Sequence, residues 1–111
     1  MTTKEEAYKG LERVKAKFSD PNLKEKFKDF TKKMQFNFTD IEASYYFDVV
    51  NGQVKTLKEG KIDAPDIQVS MKTDTFIGIL DKKINPATSY MTGKIKVKGS
   101  MGDLIKLQKI M

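Results

Sequence analysis

The sequence predicts an α+β domain: one five-stranded sheet with helices packed over its apolar face. Three observations lead there. Apolar residues open the chain at helical spacing. The period then switches to two over three consecutive segments, two of them joined by Asn51-Gly52. Two further alternating stretches are interleaved with short capped helical segments before a closing helix.

Ala7, Leu11, Val14 and Phe18 recur at i, i+4, i+7 and i+11, and Thr3 with Glu6 makes a capping box for this first helix. In "SDPNL", Asp20 is an N-cap and Pro21 the first helical residue of a shorter segment, with Leu23, Phe27 and Phe30 on one face. Met34, Phe36 and Phe38 then alternate with Gln35, Asn37 and Thr39 in a strand. Ala43, Tyr45, Phe47 and Val49 face the core from the next strand, and Asn51-Gly52 turns the chain back through "QVKTLKE". After the loop "GKIDAPD", Ile67, Val69 and Met71 point inward from a fourth strand. Thr73 is expected to cap "DTFIGILDKK", whose Phe76, Ile77 and Leu80 form an apolar stripe. Asn85-Pro86 starts a brief helix through Tyr90 and Met91, and Gly93 ends it. "KIKVK" is the fifth strand, with Ile95 and Val97 inward, and Ser100 with Asp103 forms a capping box for the last helix.

No repeat, linker or low-complexity block divides the 111 residues, so they read as a single domain, 1–111, with a core large enough to fold without staples. The chain has no cysteine and no histidine. That removes disulfides, thiolate chemistry, the usual neutral-pH base and the commonest metal ligand, and the expectation is a protein that is not an enzyme and needs no cofactor. The net charge of +6 comes almost wholly from lysine, Arg13 being the sole arginine. Lysine suits diffuse attraction to an anionic surface, a membrane or an acidic protein, better than base reading; solubility is the simpler account of the charge. The N-terminal "MTTKEEAYKG" has no apolar signal core, "KIM" is not an S-K-L type address, and the expected location is the cytoplasm.

Several motifs invite chemistry and are better read as structure. "KGSMGD" contains a G-x-x-G like the phosphate-gripping loop of KH domains, but here it joins a strand to a helix, and Ser100 serves better as a cap. Lys94, Lys96 and Lys98 could track a phosphate backbone; alternating lysine also keeps an exposed strand soluble, and that reading is preferred. Asp63 and Asp66 flank Ala64-Pro65, where a turn role outweighs acid-base work. A Ser100–Lys98 nucleophile pair lacks any oxyanion site. Six methionines is a raised count, and Met34, Met71, Met91, Met101 and Met111 fall at inward or helix-face positions. In the last helix Met101, Leu104, Ile105, Leu107, Ile110 and Met111 cover more of the wheel than one sheet contact needs, which implies a second apolar neighbour.

"APDIQVSMKTDTFIGIL" followed by "NPATSYMTGKIKVKGSMGDLIKL" resembles the sterol carrier protein type-two domain family. The matching positions are Pro65, Asp66, Tyr90, Met91, Gly93, Lys94, Ile95, Lys96, Val97 and Gly99, specific over residues 60–111; over 1–59 the match rests on element order. The resemblance implies a single five-stranded mixed sheet covered on one face by helices, with an apolar tunnel between the layers. It implies non-catalytic binding, and transfer, of fatty acids, acyl-CoA, phospholipids or sterols, with the C-terminal helix bordering the cavity. The expected lining is Phe76, Ile77, Leu80, Met91, Met101, Leu104, Ile105 and Leu107, against Phe36, Phe47, Val69, Ile95 and Val97 from the sheet. Entrance lysines would attract anionic head groups or a transient bilayer contact. Two other readings stay open: a dimerisation or assembly module using the closing helix, and a nucleic-acid binder using the lysine strand.

Overall fold

The structure, a computed structural model, describes residues 4–99 and Gly102. Helix α1 (Lys4–Phe18) and helix α2 (Pro21–Phe27) precede strands β1 (Lys32–Phe38), β2 (Ala43–Val50), β3 (Gln53–Glu59) and β4 (Ile67–Met71). Helix α3 (Thr73–Leu80), helix α4 (Pro86–Met91) and strand β5 (Lys96–Lys98) follow. The sheet order is β3-β2-β1-β4-β5; β1 pairs parallel with β4, and the other neighbours are antiparallel. The mixed five-stranded sheet of an α+β fold is therefore present.

The alternation read from the sequence is the alternation in space. Met34, Phe36 and Phe38 of β1, Ala43, Tyr45, Phe47 and Val49 of β2, and Ile67, Val69 and Met71 of β4 are all buried on one face. Ala7, Leu11, Val14 and Phe18 of α1 close over them in the same cluster. On the opposite face a polar ladder crosses three strands. Asn37 Oδ1 accepts from Gln35 Nε2 at 2.8 Å and from Ser44 Oγ at 2.7 Å, while Asn37 Nδ2 donates to Ser70 Oγ at 3.1 Å. The backbone N–H of Ile62, in the loop before β4, donates to Gln35 Oε1 at 3.0 Å.

Asp20 caps α2 as expected, accepting from Asn22 N at 2.8 Å, and Asn85 caps α4, accepting from Thr88 N at 3.1 Å. Asp66 works as a clasp on β1: its Oδ2 accepts from Lys33 N at 2.9 Å, and its own N–H donates to Lys33 O at 2.9 Å. Three expectations need correction. Thr73 is the first helical residue of α3 and not its cap; Lys72 holds the N-cap position without a side-chain bond, and Asp40, from the loop after β1, accepts from Thr73 N at 2.9 Å. Helix α3 stops at Leu80, because Lys82 turns to φ 60°. The fifth strand is three residues long: Ile95 is buried but precedes it, and Val97 is half-buried. The capping residues Thr3, Ser100 and Asp103 lie outside the described residues.

Candidate functional site

The apolar layer between sheet and helices is organised around α3. Phe76 packs against Phe38, ring centroids 5.2 Å apart, and against Phe36 at 5.8 Å, and Phe36 meets Phe47 edge-on at 5.5 Å. Gly10 permits the close approach of α1 to α3: a Cβ there would lie 2.7 Å from the Phe76 ring and 3.0 Å from Ile77 Cδ1. The only arginine then ties the two helices at their rim, Arg13 Nη1 donating to Asp81 Oδ1 at 2.8 Å and Nη2 to Leu80 O at 3.2 Å. A cation at that carbonyl complements the negative end of α3.

Of the expected lining residues, Phe36, Phe47, Val69, Phe76, Leu80 and Ile95 are buried, and Ile77 and Val97 pack half-buried against the same cluster. Met91 is not among them; its residue is 84% exposed. Helix α4 spans only Pro86–Met91, and its inward position is taken by Ser89, whose Oγ donates to Asn85 O at 2.9 Å. So short a helix offers no periodicity from which to assign a face. Met101, Leu104, Ile105 and Leu107 lie outside the described residues. The sequence reading passed over Ile79, which is buried where Ile77 was expected to be. Its signal was present: Ile79 follows Phe76 at i+3.

Among the described residues three clefts stand out. One of about 440 Å³, beside the α1 N-terminus, sets Lys4 and Lys9 against Glu5, Glu12 and Glu59. Lys4 Nζ contacts Glu59 Oε2 at 2.8 Å, which holds the lysine above its ordinary pKa. Burial pushes the neighbouring Tyr45 phenol up, Glu59 and Tyr8 adding to the effect and Lys4 opposing it. A second cleft, about 390 Å³, lies over the polar face with Lys61 and Glu42. The third, about 510 Å³, sits between the α3 N-terminus, the end of α4 and the β5 edge, lined by Lys72, Lys94 and Lys96 with Met71 and Thr75. Among the described residues no group of three or more Asp or Glu side chains is placed to hold a metal ion, and no helix is long and apolar enough to cross a membrane.

A match to the family model described as the SCP-2 sterol transfer family covers residues 11–111. Hydroxysteroid dehydrogenase-like protein 2 of Bos taurus is 43% identical over 49 residues, 44% of this chain. The matched segment spans only 12% of that relative's length. The solution structure of sterol carrier protein domain 2 of Helicoverpa armigera superposes with a TM-score of 0.78 at 22% identity, covering 98% of this chain and 89% of that one. Palmitated SCP2L2 from Aedes aegypti gives a TM-score of 0.70 at 19% identity, over 98% and 94% of the two chains. These structures share the fold seen here, and the match along nearly the whole chain fixes the family: this chain belongs to the SCP-2 sterol transfer family, a family of lipid binding and transfer.

Proposed function

We infer that the chain binds a long-chain lipid, with fatty acid, fatty acyl-CoA and phospholipid as the ligand classes, in an apolar tunnel between sheet and helices, and passes it on chemically unchanged. The observation that carries this reading is the family match over residues 11–111. The palmitate of the Aedes aegypti neighbour supports the acyl-chain class. The layered cluster of Phe36, Phe47, Val69, Phe76, Leu80 and Ile95 supplies one wall of suitable chemistry, and Leu104 and Leu107 of the closing segment are proposed for the other. Burial alone supplies the affinity: each ligand methylene taken from water contributes about 0.8 kcal/mol, so an acyl chain needs a dry pocket and few polar contacts.

The test is a native mass spectrum and solvent extract of the purified protein, followed by titration with labelled palmitate. Co-purified lipid, or saturable palmitate binding that leaves the ligand unmodified, is the expected result. Absence of both would sink the reading. A sharper version uses Leu104→Glu, which should weaken palmitate binding more than it lowers the melting temperature.

A further inference from the structure

We propose that the turn closing α4, which carries Tyr90 and Met91 beside Lys72, Lys94 and Lys96, is a docking tip for the surface of an anionic phospholipid bilayer. Its use rests on the lipid-binding reading above, since a carrier has to meet the membranes it serves. The contact itself is measurable without any bound ligand.

Three large apolar side chains are exposed among the described residues: Tyr8, Tyr90 and Met91. Tyr8 is accounted for, because its ring packs on Tyr45 with centroids 6.0 Å apart, in a cleft that holds charges of both signs. Tyr90 and Met91 are consecutive, and they are 53% and 84% exposed. Single exposed apolar residues are ordinary, but an adjacent pair on a projecting turn calls for an explanation. Tyr90 O accepts from Gly93 N at 3.2 Å, and Thr92 stands at φ −89° and ψ 2°. Met91 and Thr92 therefore form the corner of a type I turn, which is why Met91 stands so far out.

The corner suits a dry neighbour. Carbonyls at the end of a helix ordinarily need water. Here Thr88 O accepts from Thr92 N at 3.0 Å and from Thr92 Oγ1 at 2.9 Å. Ser89 O accepts from Lys94 N at 2.8 Å and from Ile95 N at 3.2 Å, and Tyr90 O is taken by Gly93. Three consecutive carbonyls can thus enter a headgroup layer with their bonds already made, so stripping water from them costs little. The turn is also fixed to the edge of the apolar layer. Ser89 and Ile95 are buried on either side of it. Ile84, just before α4, packs against the apolar cluster in the space that a side chain at Gly78 would need.

Charge identifies the partner. From Lys82 to Gly99 the chain has five lysines and no Asp or Glu. Thr92 and Gly93 of the turn share a cleft with Lys72, Lys94 and Lys96, and no carboxylate lines it. None of these three lysines takes part in an ion pair among the described residues, where the cationic partners are Lys4, Lys9, Arg13 and Lys28. An aromatic ring and a thioether that enter the interface, with ammonium groups left among the phosphates, match the layering of an anionic leaflet. Two side chains are too little for a stable protein interface, which buries roughly 800 Å² on each partner. With three charges added they suffice for a reversible bilayer contact.

The experiment sediments the protein with phosphatidylcholine vesicles, alone or with phosphatidylglycerol added. The wild type should prefer the anionic vesicles by about a hundredfold, roughly fivefold for each lysine, and raised salt should erode the preference. K72Q/K94Q/K96Q should bring anionic binding close to the neutral level, and Y90S/M91S should weaken it by about tenfold. Both variants should keep wild-type palmitate binding. K15Q/K24Q/K26Q, the same charge change on α1 and α2, should leave the anionic preference largely intact. The sequence has no tryptophan, so Met91→Trp puts a single fluorophore on the tip. Its emission should move to the blue and be quenched by brominated lipid when anionic vesicles are added. No preference in the wild type, a larger loss in K15Q/K24Q/K26Q than in K72Q/K94Q/K96Q, or an emission unmoved by bound vesicles would each overturn the docking tip. Blue emission from Met91→Trp before vesicles are added would do the same, by showing the tip covered by the closing segment. So would a Y90S/M91S variant that alters only self-association, which would make the tip a contact between copies. Palmitate bound with vesicles unbound overturns the tip alone; vesicles bound with palmitate unbound leaves the tip standing and sinks the lipid reading.

Discussion

Gly52 shows how one residue can serve two structures at once. With Asn51 at φ 49° and Gly52 at φ 78°, the two form the left-handed pair that a tight hairpin needs. The same glycine is pressed onto the end of α2: a Cβ would collide with Phe27 O, and its N–H donates to Phe30 O at 2.9 Å. Gly52→Ala should therefore destabilise the fold by about 2 kcal/mol or more, through a strained φ and a backbone clash together. Urea unfolding checks this, and a change under about 0.5 kcal/mol would remove the docking role. The hairpin half of this was legible as Asn-Gly; the docking half was not, since it depends on where α2 ends in space. Met91 failed for a related reason. The sequence puts it at an inward or helix-face position of a brief helix, and only the placement of α4 shows that Ser89 takes the inward position instead.

At the scale of elements, strands were easier to read than helix ends. A period of two over five residues assigns each side chain to a face, and the apolar residues buried in β1, β2 and β4 are those expected, Gln35 being buried as well on the polar face of β1. Helix starts were legible when the cap was local, as for Asp20 and Asn85. The cap of α3 comes from Asp40, 33 positions before Thr73, and so remote an acceptor leaves no mark in the sequence around the helix. Asp40→Ala should cost about 1–2 kcal/mol. In hydrogen exchange, the loss of protection should be greatest in α3, the helix that carries Phe76. Protection lost evenly across the sheet and α3 would argue against a local capping role.

For the molecule as a whole, the sequence made the layered fold and the family resemblance legible, along with most of the residues now found in or against the apolar cluster, eight of the expected lining residues among them. It did not reveal which lysines gather together. Lys94, Lys96 and Lys98 alternate as a single solvated row in the sequence, yet the fold sends two of them to a cleft with Lys72 and leaves the third outside. Such convergence depends on chain reversal at Gly93, which no local pattern encodes. Alkaline pH offers a global test of the packing around Tyr45. Tyr45 and Lys4 both hold their protons more tightly when folded, so the stability they contribute is complete below their unfolded pKa values and is lost as pH rises through the folded ones. Lys17 opposes them: burial, Lys82 and Arg13 lower its pKa, so the folded chain releases that proton first. The melting temperature should fall from about pH 10 upward, and Tyr45→Phe should flatten the fall. An equal or steeper slope in that variant would contradict the assignment.

The ladder centred on Asn37 bears on how such a sheet avoids being built wrongly. Sliding β1 by one residue would turn Met34, Phe36 and Phe38 to water and carry Asn37 into the apolar layer, away from Gln35, Ser44 and Ser70. A misaligned sheet would thus be penalised on both faces at once, by exposed aromatics on one and stranded amides on the other. The polar outer face thus works as a proofreading surface for the apolar inner one.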